Sequence, residues 1–312
     1  MAWLRTTGKI IGEFFSEFVA NNVPKLAAAL AYYTIFSFPA LLIFTMWFGD
    51  IFYGHEAVEG KLYYELANLI GKEGASQIEE AVRNTTLAKD SHFATIAGII
   101  SLVLGATGIF GEMQDSINQV WHLKSKPRKG LFFLKMVINR LLSFSMIGVL
   151  GFLLLVSLVV NGVMDIFLQR FSDAFPNIEV IFVYIFNIVF TFIITAFLFG
   201  VIFKVLPDAK IKWKDIKPGV MVTALFFMGG KFLITYYLGK SNISSTYGAA
   251  GSVIIVLLWV YFSAIILFMG AIFTRLYALH RGSQIYPNKY AVWIEKKEVE
   301  SKKSLPETKA TG

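Results

Sequence analysis

Cysteine is absent from the 312 residues, which excludes disulfides, thiol nucleophiles and cysteine-ligated metal sites without identifying a redox compartment. Histidine is scarce: His55, His92, His122 and His280 stand isolated, so no His-x-His spacing of the kind metal centres use is present. Charge is thin as well, at 16% of residues against 56% hydrophobic. Soluble domains carry about 25% charged and 45–50% apolar residues, so the ordinary soluble classes are excluded, and the mean hydropathy of +0.61 agrees. The net charge of +8 would suit a nucleic-acid binder, but the basic residues lie beside apolar runs, where topology and attraction to anionic lipid head groups account for them.

What the chain does have is six long apolar runs, at about 26–53, 93–111, 132–164, 180–203, 218–238 and 250–276. Each is long enough to cross a hydrocarbon core of ~30 Å, which takes ~20 helical residues. If the segments between them alternate sides, the N-terminal side collects 22 of the 29 Lys+Arg and 10 of the 21 Asp+Glu. That asymmetry places the N-terminal side in the cytoplasm. The expected fold is all-α: an integral membrane bundle of six transmembrane helices, with both termini cytoplasmic.

The flanking segments divide the rest. Residues 1–25 form a cytoplasmic segment in which Ile10, Ile11, Phe14, Phe15, Phe18 and Val19 fall near helical spacing between Lys9, Glu13 and Glu17. This reads as an amphipathic helix, either lying in the membrane interface or packed against the bundle. Pro24 fits the first turn of the following helix. The first apolar run starts too late and is too long for a cleavable signal peptide. Residues 54–92 form the one long extracytoplasmic insertion, with apolar stripes that predict two short helices as a small cap. Lys124–Gly130 (KSKPRKG) and Pro207–Lys217 (PDAKIKWKDIK) read as basic cytoplasmic turns. Residues 281–312 form a charged tail, its last ~15 residues expected to be disordered.

Ionisable residues inside the spans carry the functional information, because a mid-bilayer charge costs at least ~2.5 kcal/mol. The spans hold no Glu, and their one Asp, Asp50, lies at an outer end, which argues against a carboxylate proton relay. Arg275, at the inner end of the last span, is accounted for by snorkelling. Lys231, after Gly229 and Gly230, sits ~20 Å along its helix from Pro218, with no carboxylate inside any span to pair with apart from the terminal Asp50. It either snorkels outward or lines a polar cavity that meets an anionic group. Glu112, Asp115 and Asn118 recur every three residues and either hold a cation or substrate or accept hydrogen bonds from Arg140. Asn187, Thr191 and Thr195, spaced by four, serve interhelical hydrogen bonding or a pathway. Gly105, Gly108, Gly111, Gly248 and Gly251 mark close helix approach, and Pro39 should kink the first span.

Four ordered blocks resemble signature stretches of the YihY/BrkB family of bacterial inner-membrane proteins: Leu26–Phe44 (LAAALAYYTIFSFPALLIF), Ile109–Trp121 (IFGEMQDSINQVW), Leu206–Gly219 (LPDAKIKWKDIKPG) and Tyr247–Ala271 (YGAAGSVIIVLLWVYFSAIILFMGA). The resemblance runs from about residue 10 to 280, and the tail beyond 285 has no counterpart. It implies six membrane helices, links members to virulence or serum resistance, and associates relatives with movement of lipids or small solutes. The ribonuclease BN label once attached to the family finds no support in the residues. A metal-dependent nuclease needs clustered His and Asp ligands, and the predicted topology puts His55 and His92 on one side of the membrane and His122 and His280 on the other.

The sequence therefore points to a non-enzymatic membrane protein without cofactor or metal. It is a transporter or flippase for a lipid or a small anionic or organic solute, or alternatively a non-transporting scaffold or envelope assembly factor. Its expected partners are membrane lipids, through anionic head groups at the cytoplasmic face, and not nucleic acid. A homo-oligomer is compatible with the sequence but not determined by it.

Overall fold

A computed structural model describes residues 2–35, 63, 75–76, 108–126, 179–240, 249–283, 285–288 and 291–295. Four long helices stand among them: α1 (Ala2–Ala20), α2 (Glu179–Val205), α3 (Trp213–Lys240) and α4 (Ala249–His280). Helical residues 23–35 and 108–120 add two further segments. Three stretches among the described residues are long and apolar enough to span a bilayer: Ile188–Val205, Trp213–Tyr237 and Val253–His280. These correspond to the fourth, fifth and sixth expected spans. The third expected span, most of the first two, Arg140, Pro39, Gly105, Gly248 and nearly all of the 54–92 insertion lie outside the described residues.

Local chemistry explains where the helices begin and end. The chain turns at Asn21 and Asn22, the latter with φ of 50°, and Pro24 follows in the first turn of the next helix, where its missing N–H costs nothing. α3 starts at Trp213, earlier than the expected 218, and carries Pro218 inside it. The proline is tolerated because it lies near the N-terminus, and Asp215 in the first turn complements the positive helix end. α4 stops at a glycine signal: Gly282 has φ of 74°, and the N–H groups of Ser283 and Gly282 bond the carbonyls of Ala278 and Leu279, each at 3.0 Å. That pair of bonds closes a helix with its exposed carbonyls satisfied.

α3 and α4 run antiparallel and touch through matched small residues. Gly219 faces Thr274, and Gly270 faces Thr223. Each threonine hydroxyl donates to the carbonyl four residues back in its own helix, Thr223 to Gly219 at 2.6 Å and Thr274 to Gly270 at 2.7 Å. A polar side chain thus sits in a glycine notch without a lost hydrogen bond, which suits packing in lipid. Fully buried Ile117, Trp121, Phe203, Ile216, Phe268 and Ile272 gather where the 108–120 helix, the end of α2, the start of α3 and the end of α4 converge. This basic end of the bundle holds the packed core. Trp121 secures it by donating Nε1–H to the Ala271 carbonyl at 3.1 Å.

The all-α expectation needs one correction: the described residues are mostly helical, with four short strands among them. β1 (Leu123–Ser125) pairs antiparallel with β4 (Ala291–Trp293), and β2 (Ala209–Lys210) with β3 (Tyr286–Pro287). Both basic turns therefore contain strands, and the first part of the charged tail is an ordered strap. It crosses the helix ends and ties the α2–α3 link to the 121–126 segment. Strands of two or three residues carry no alternation to read, and their stability comes from the pairing itself.

Candidate functional site

The strap and the helix ends build a belt of polar side chains. Its centre is Asp208, 2% exposed. Its Oδ1 accepts from Gln114 at 3.1 Å, and its Oδ2 accepts from Asn118 at 3.1 Å and from the Ser125 hydroxyl at 2.6 Å. Its backbone N–H donates to Asn118 Oδ1 at 2.8 Å, and its carbonyl accepts from the Asn288 N–H at 2.9 Å. The carboxylate is saturated by donors from the 108–120 helix and β1. A buried carboxylate so satisfied is a structural clamp and has little capacity left for a ligand.

A second cluster joins α1 to α4. Glu17 Oε2 lies 3.2 Å from Arg275 Nη1 and 3.1 Å from His122 Nε2. Arg275 Nη2 approaches His122 Nδ1 at 3.0 Å. Guanidinium only donates, so Nδ1 is the acceptor in that contact, and Nε2 faces Glu17. Asn21 Nδ2 donates to the same carboxylate at 2.8 Å. Burial pushes the Glu17 carboxyl up, but Arg275 and His122 together with the hydrogen bonds outweigh it and hold the group below its ordinary value. Arg275 is thus corrected from a snorkelling residue to a buried, paired one: the interface it would reach is occupied by α1. A further pair, Glu13 with His280 Nε2 at 3.4 Å, continues the contact.

α1 packs against the bundle, one of its two sequence readings. Phe14 and Phe18 pack on the core, while Ile11, Phe15 and Val19 form an outward apolar stripe, with Phe15 63% exposed. The helix therefore docks on the bundle with one face and leaves another apolar face free.

Two cavities open at this end. One, of about 490 Å³, is lined by Asp115, Asn118, Gln119, His122, Lys124 and Ser125 among others. The other, of about 730 Å³, is lined by Lys204, Lys210, Lys212, Lys214, Asp215 and Arg281 among others. Asp215 is buried and accepts from the Ser283 hydroxyl at 2.6 Å. Among the described residues no group of three or more His, Asp or Glu could hold a metal ion.

The residues singled out by sequence are dispersed. Glu112 is half-buried and accepts from Ser116 at 3.3 Å; burial, with the neighbouring Asp115 charge, raises its carboxyl despite that bond. Asp115 is exposed at the smaller cavity. Asn118 is buried against Asp208. Three residues at intervals of three drift about 120° around a helix of 3.6 residues per turn, so one apparent face becomes three environments. Lys231 is exposed on α3 and lines neither cavity. Thr191 and Thr195 are half-buried on α2, and the Asn187 side chain lies outside the description. A methyl group added at Gly108 would stand 3.2 Å from the Tyr33 ring, a close approach that its small size allows, whereas Gly111 has open space beside it. Gly251 is buried at the start of α4.

Sequence reasoning missed Asp208, Glu17, His122 and Arg275 as a connected belt. One signal was available: Asp208 lies in the LPDAK stretch, a lone carboxylate between a helix end and three lysines.

Long apolar helices of spanning length, held at one end by a polar belt, define a helical integral membrane protein. The profile of the family described as virulence factor BrkB matches residues 14–291, and the chain belongs to that family. It is 24% identical over 261 residues to a UPF0761 membrane protein of Haemophilus influenzae (strain 86-028NP), covering 83% of this chain and 91% of that one. A UPF0761 membrane protein of Saccharophagus degradans is 26% identical over 274 residues, covering 86% of this chain and 59% of the relative. One of Pseudomonas paraeruginosa (strain PA7) is 26% identical over 260 residues, covering 82% and 59%. No solved structure matches. The match to residue 291 carries the family past the limit expected at 285, into the strap.

Proposed function

We propose that this chain is a six-span protein of the bacterial cytoplasmic membrane, with its basic end and both termini inside, that moves a lipid or a small anionic or organic solute without enzymatic chemistry. The observation that carries the reading is Lys231. It is exposed on a spanning helix, about 27 Å along α3 from Trp213 at 1.5 Å per residue. Among the described residues it has no ion-pair partner. A cation kept at that depth needs an anionic counterpart in lipid, in substrate or at the far interface. The basic cavity at the other end of α3 gives the same helix a second cationic station. Among the described residues, the imidazoles of His122 and His280 are engaged by Glu17, Arg275 and Glu13, which speaks against nuclease acid–base chemistry by these two.

A second reading, a non-transporting scaffold or envelope assembly factor, is favoured by Lys231 standing outside both cavities. Purified protein in liposomes, scored for movement of labelled phospholipid and of small anions, separates the two. Movement abolished by Lys231→Met, with membrane insertion intact, supports transport through this residue. No movement of either probe by the unmodified chain sinks the transport reading.

A further inference from the structure

We infer that the cleft between the α2–α3 link, the first turn of α3 and the end of α4 is a binding site for a phosphate-ester head group, that of an anionic lipid in the adjoining leaflet. This site stands whether the chain transports or serves as a scaffold.

Five cationic side chains from different elements converge there: Lys204 at the end of α2, Lys210 on β2, Lys212 in the link, Lys214 on α3 and Arg281 just past α4. The cavity of about 730 Å³ lies within the 300–1,000 Å³ range of small-molecule sites. A basic bias at helix ends needs charge near the membrane, but it does not need that charge to meet in one concavity.

The two nearby carboxylates are turned to other work. Asp208 is saturated by Gln114, Asn118 and Ser125. Asp215 is buried and held by Ser283. Lys204 and Arg281 are partly engaged, donating to the Ile211 carbonyl and to the Tyr277 hydroxyl, whereas Lys210, Lys212 and Lys214 are exposed, as is the rest of Arg281. The excess of positive charge suits a group carrying close to two negative charges, as a phosphate monoester does near neutral pH. Arg281 offers a forked donor, and the lysines offer mobile point charges.

Depth selects a lipid as the source. The apolar stretch of α2 ends at Val205 and that of α3 begins at Trp213, so the link and its lysines lie at the head-group level. Tyr286, 56% exposed, lines the cleft, and Trp213, 48% exposed, opens α3 between two of its lysines, as amphipathic rings do at a membrane interface.

The test uses the full chain in detergent micelles and measures equilibrium binding of dihexanoyl phosphatidate, dihexanoyl phosphatidylcholine and inorganic phosphate. The expected result is saturable binding of the phosphatidate and none of the phosphatidylcholine. The triple variant K210Q/K212Q/R281Q should bind about tenfold more weakly or worse, through lost charge-assisted bonds. The equally charge-depleted K25Q/K124Q/K126Q, outside the cleft, should change binding by less than about twofold. Should the triple variant fail to fold, Lys210→Gln alone, at an exposed site, should still weaken binding about threefold. Equal loss in the two triple variants, or no saturable binding, overturns the site. Inorganic phosphate binding as tightly as the phosphatidate overturns the lipid assignment in favour of free phosphate.

Discussion

Three carboxylates at the basic end meet three different fates, set by what surrounds them. Glu17 ionises more readily in the folded chain than in the unfolded one, because Arg275 and His122 outweigh its burial. Its contribution to stability is therefore fully present above the ordinary glutamate range and is lost as pH falls through its lowered value. Thermal melts in detergent should show the unmodified chain losing stability as pH drops below that range. Glu17→Gln should start about 1–2 kcal/mol less stable and lose less. A steeper acid loss in the variant would contradict the assignment. Glu112 runs the other way: burial, aided by Asp115, raises its carboxyl, so the ionised form is a liability that sets in as pH rises above the ordinary glutamate range. Glu112→Gln should be neutral or stabilising at neutral pH, as melting temperature would record. Asp208→Ala should be the costliest of the three, about 3 kcal/mol, because Gln114, Asn118 and Ser125 would all lose their buried acceptor.

Among the helices, the α3–α4 contact rests on two glycine–threonine notches, and the notches make a sharp mutational contrast. A methyl group on Gly219 would stand 2.9 Å from the Thr274 backbone, and one on Gly270 would stand 2.8 Å from Thr223 Cβ. Neither neighbour can swing aside, so Gly219→Ala and Gly270→Ala should each destabilise by about 1–3 kcal/mol. Gly229, on the same helix, meets nothing within 4 Å. There, Gly229→Ala should stabilise α3 by up to about 1 kcal/mol, since alanine loses less backbone freedom on folding. Melting temperatures of the three variants side by side check the helix register; similar losses at all three positions would contradict it. The helices themselves were legible in the sequence as apolar runs, because length and hydrophobicity suffice for that. The strap was not, because two- and three-residue strands leave no pattern until their partners are known.

At the level of the whole molecule, the proposed orientation predicts which residues face which compartment. The natural absence of cysteine makes the test clean, since any cysteine introduced is unique. Lys126→Cys, exposed after β1, should resist a membrane-impermeant thiol reagent in intact cells and react after permeabilisation. Lys240→Cys, exposed at the far end of α3, should react in both. The reverse pattern would invert the topology. The polar belt has a consequence on this scale too. Its interactions link α1, the 108–120 helix, the α2–α3 link, α4 and the strap, so the basic end should behave as one rigid unit.

Membrane residence and helical class follow from the sequence by itself, because a bilayer imposes a length and a polarity on whatever crosses it, and both are written residue by residue. The charge asymmetry behind the proposed orientation is local in the same way. Which charges pair is not. Arg275 looked self-sufficient until α1 came to lie over it. Asn118 shared an apparent face with Glu112 until Asp208, 90 residues away, claimed it. The five cations of the cleft were merely basic until the link and the end of α4 folded around one space. Such outcomes depend on contacts between segments far apart in the chain, and only the tertiary structure decides them.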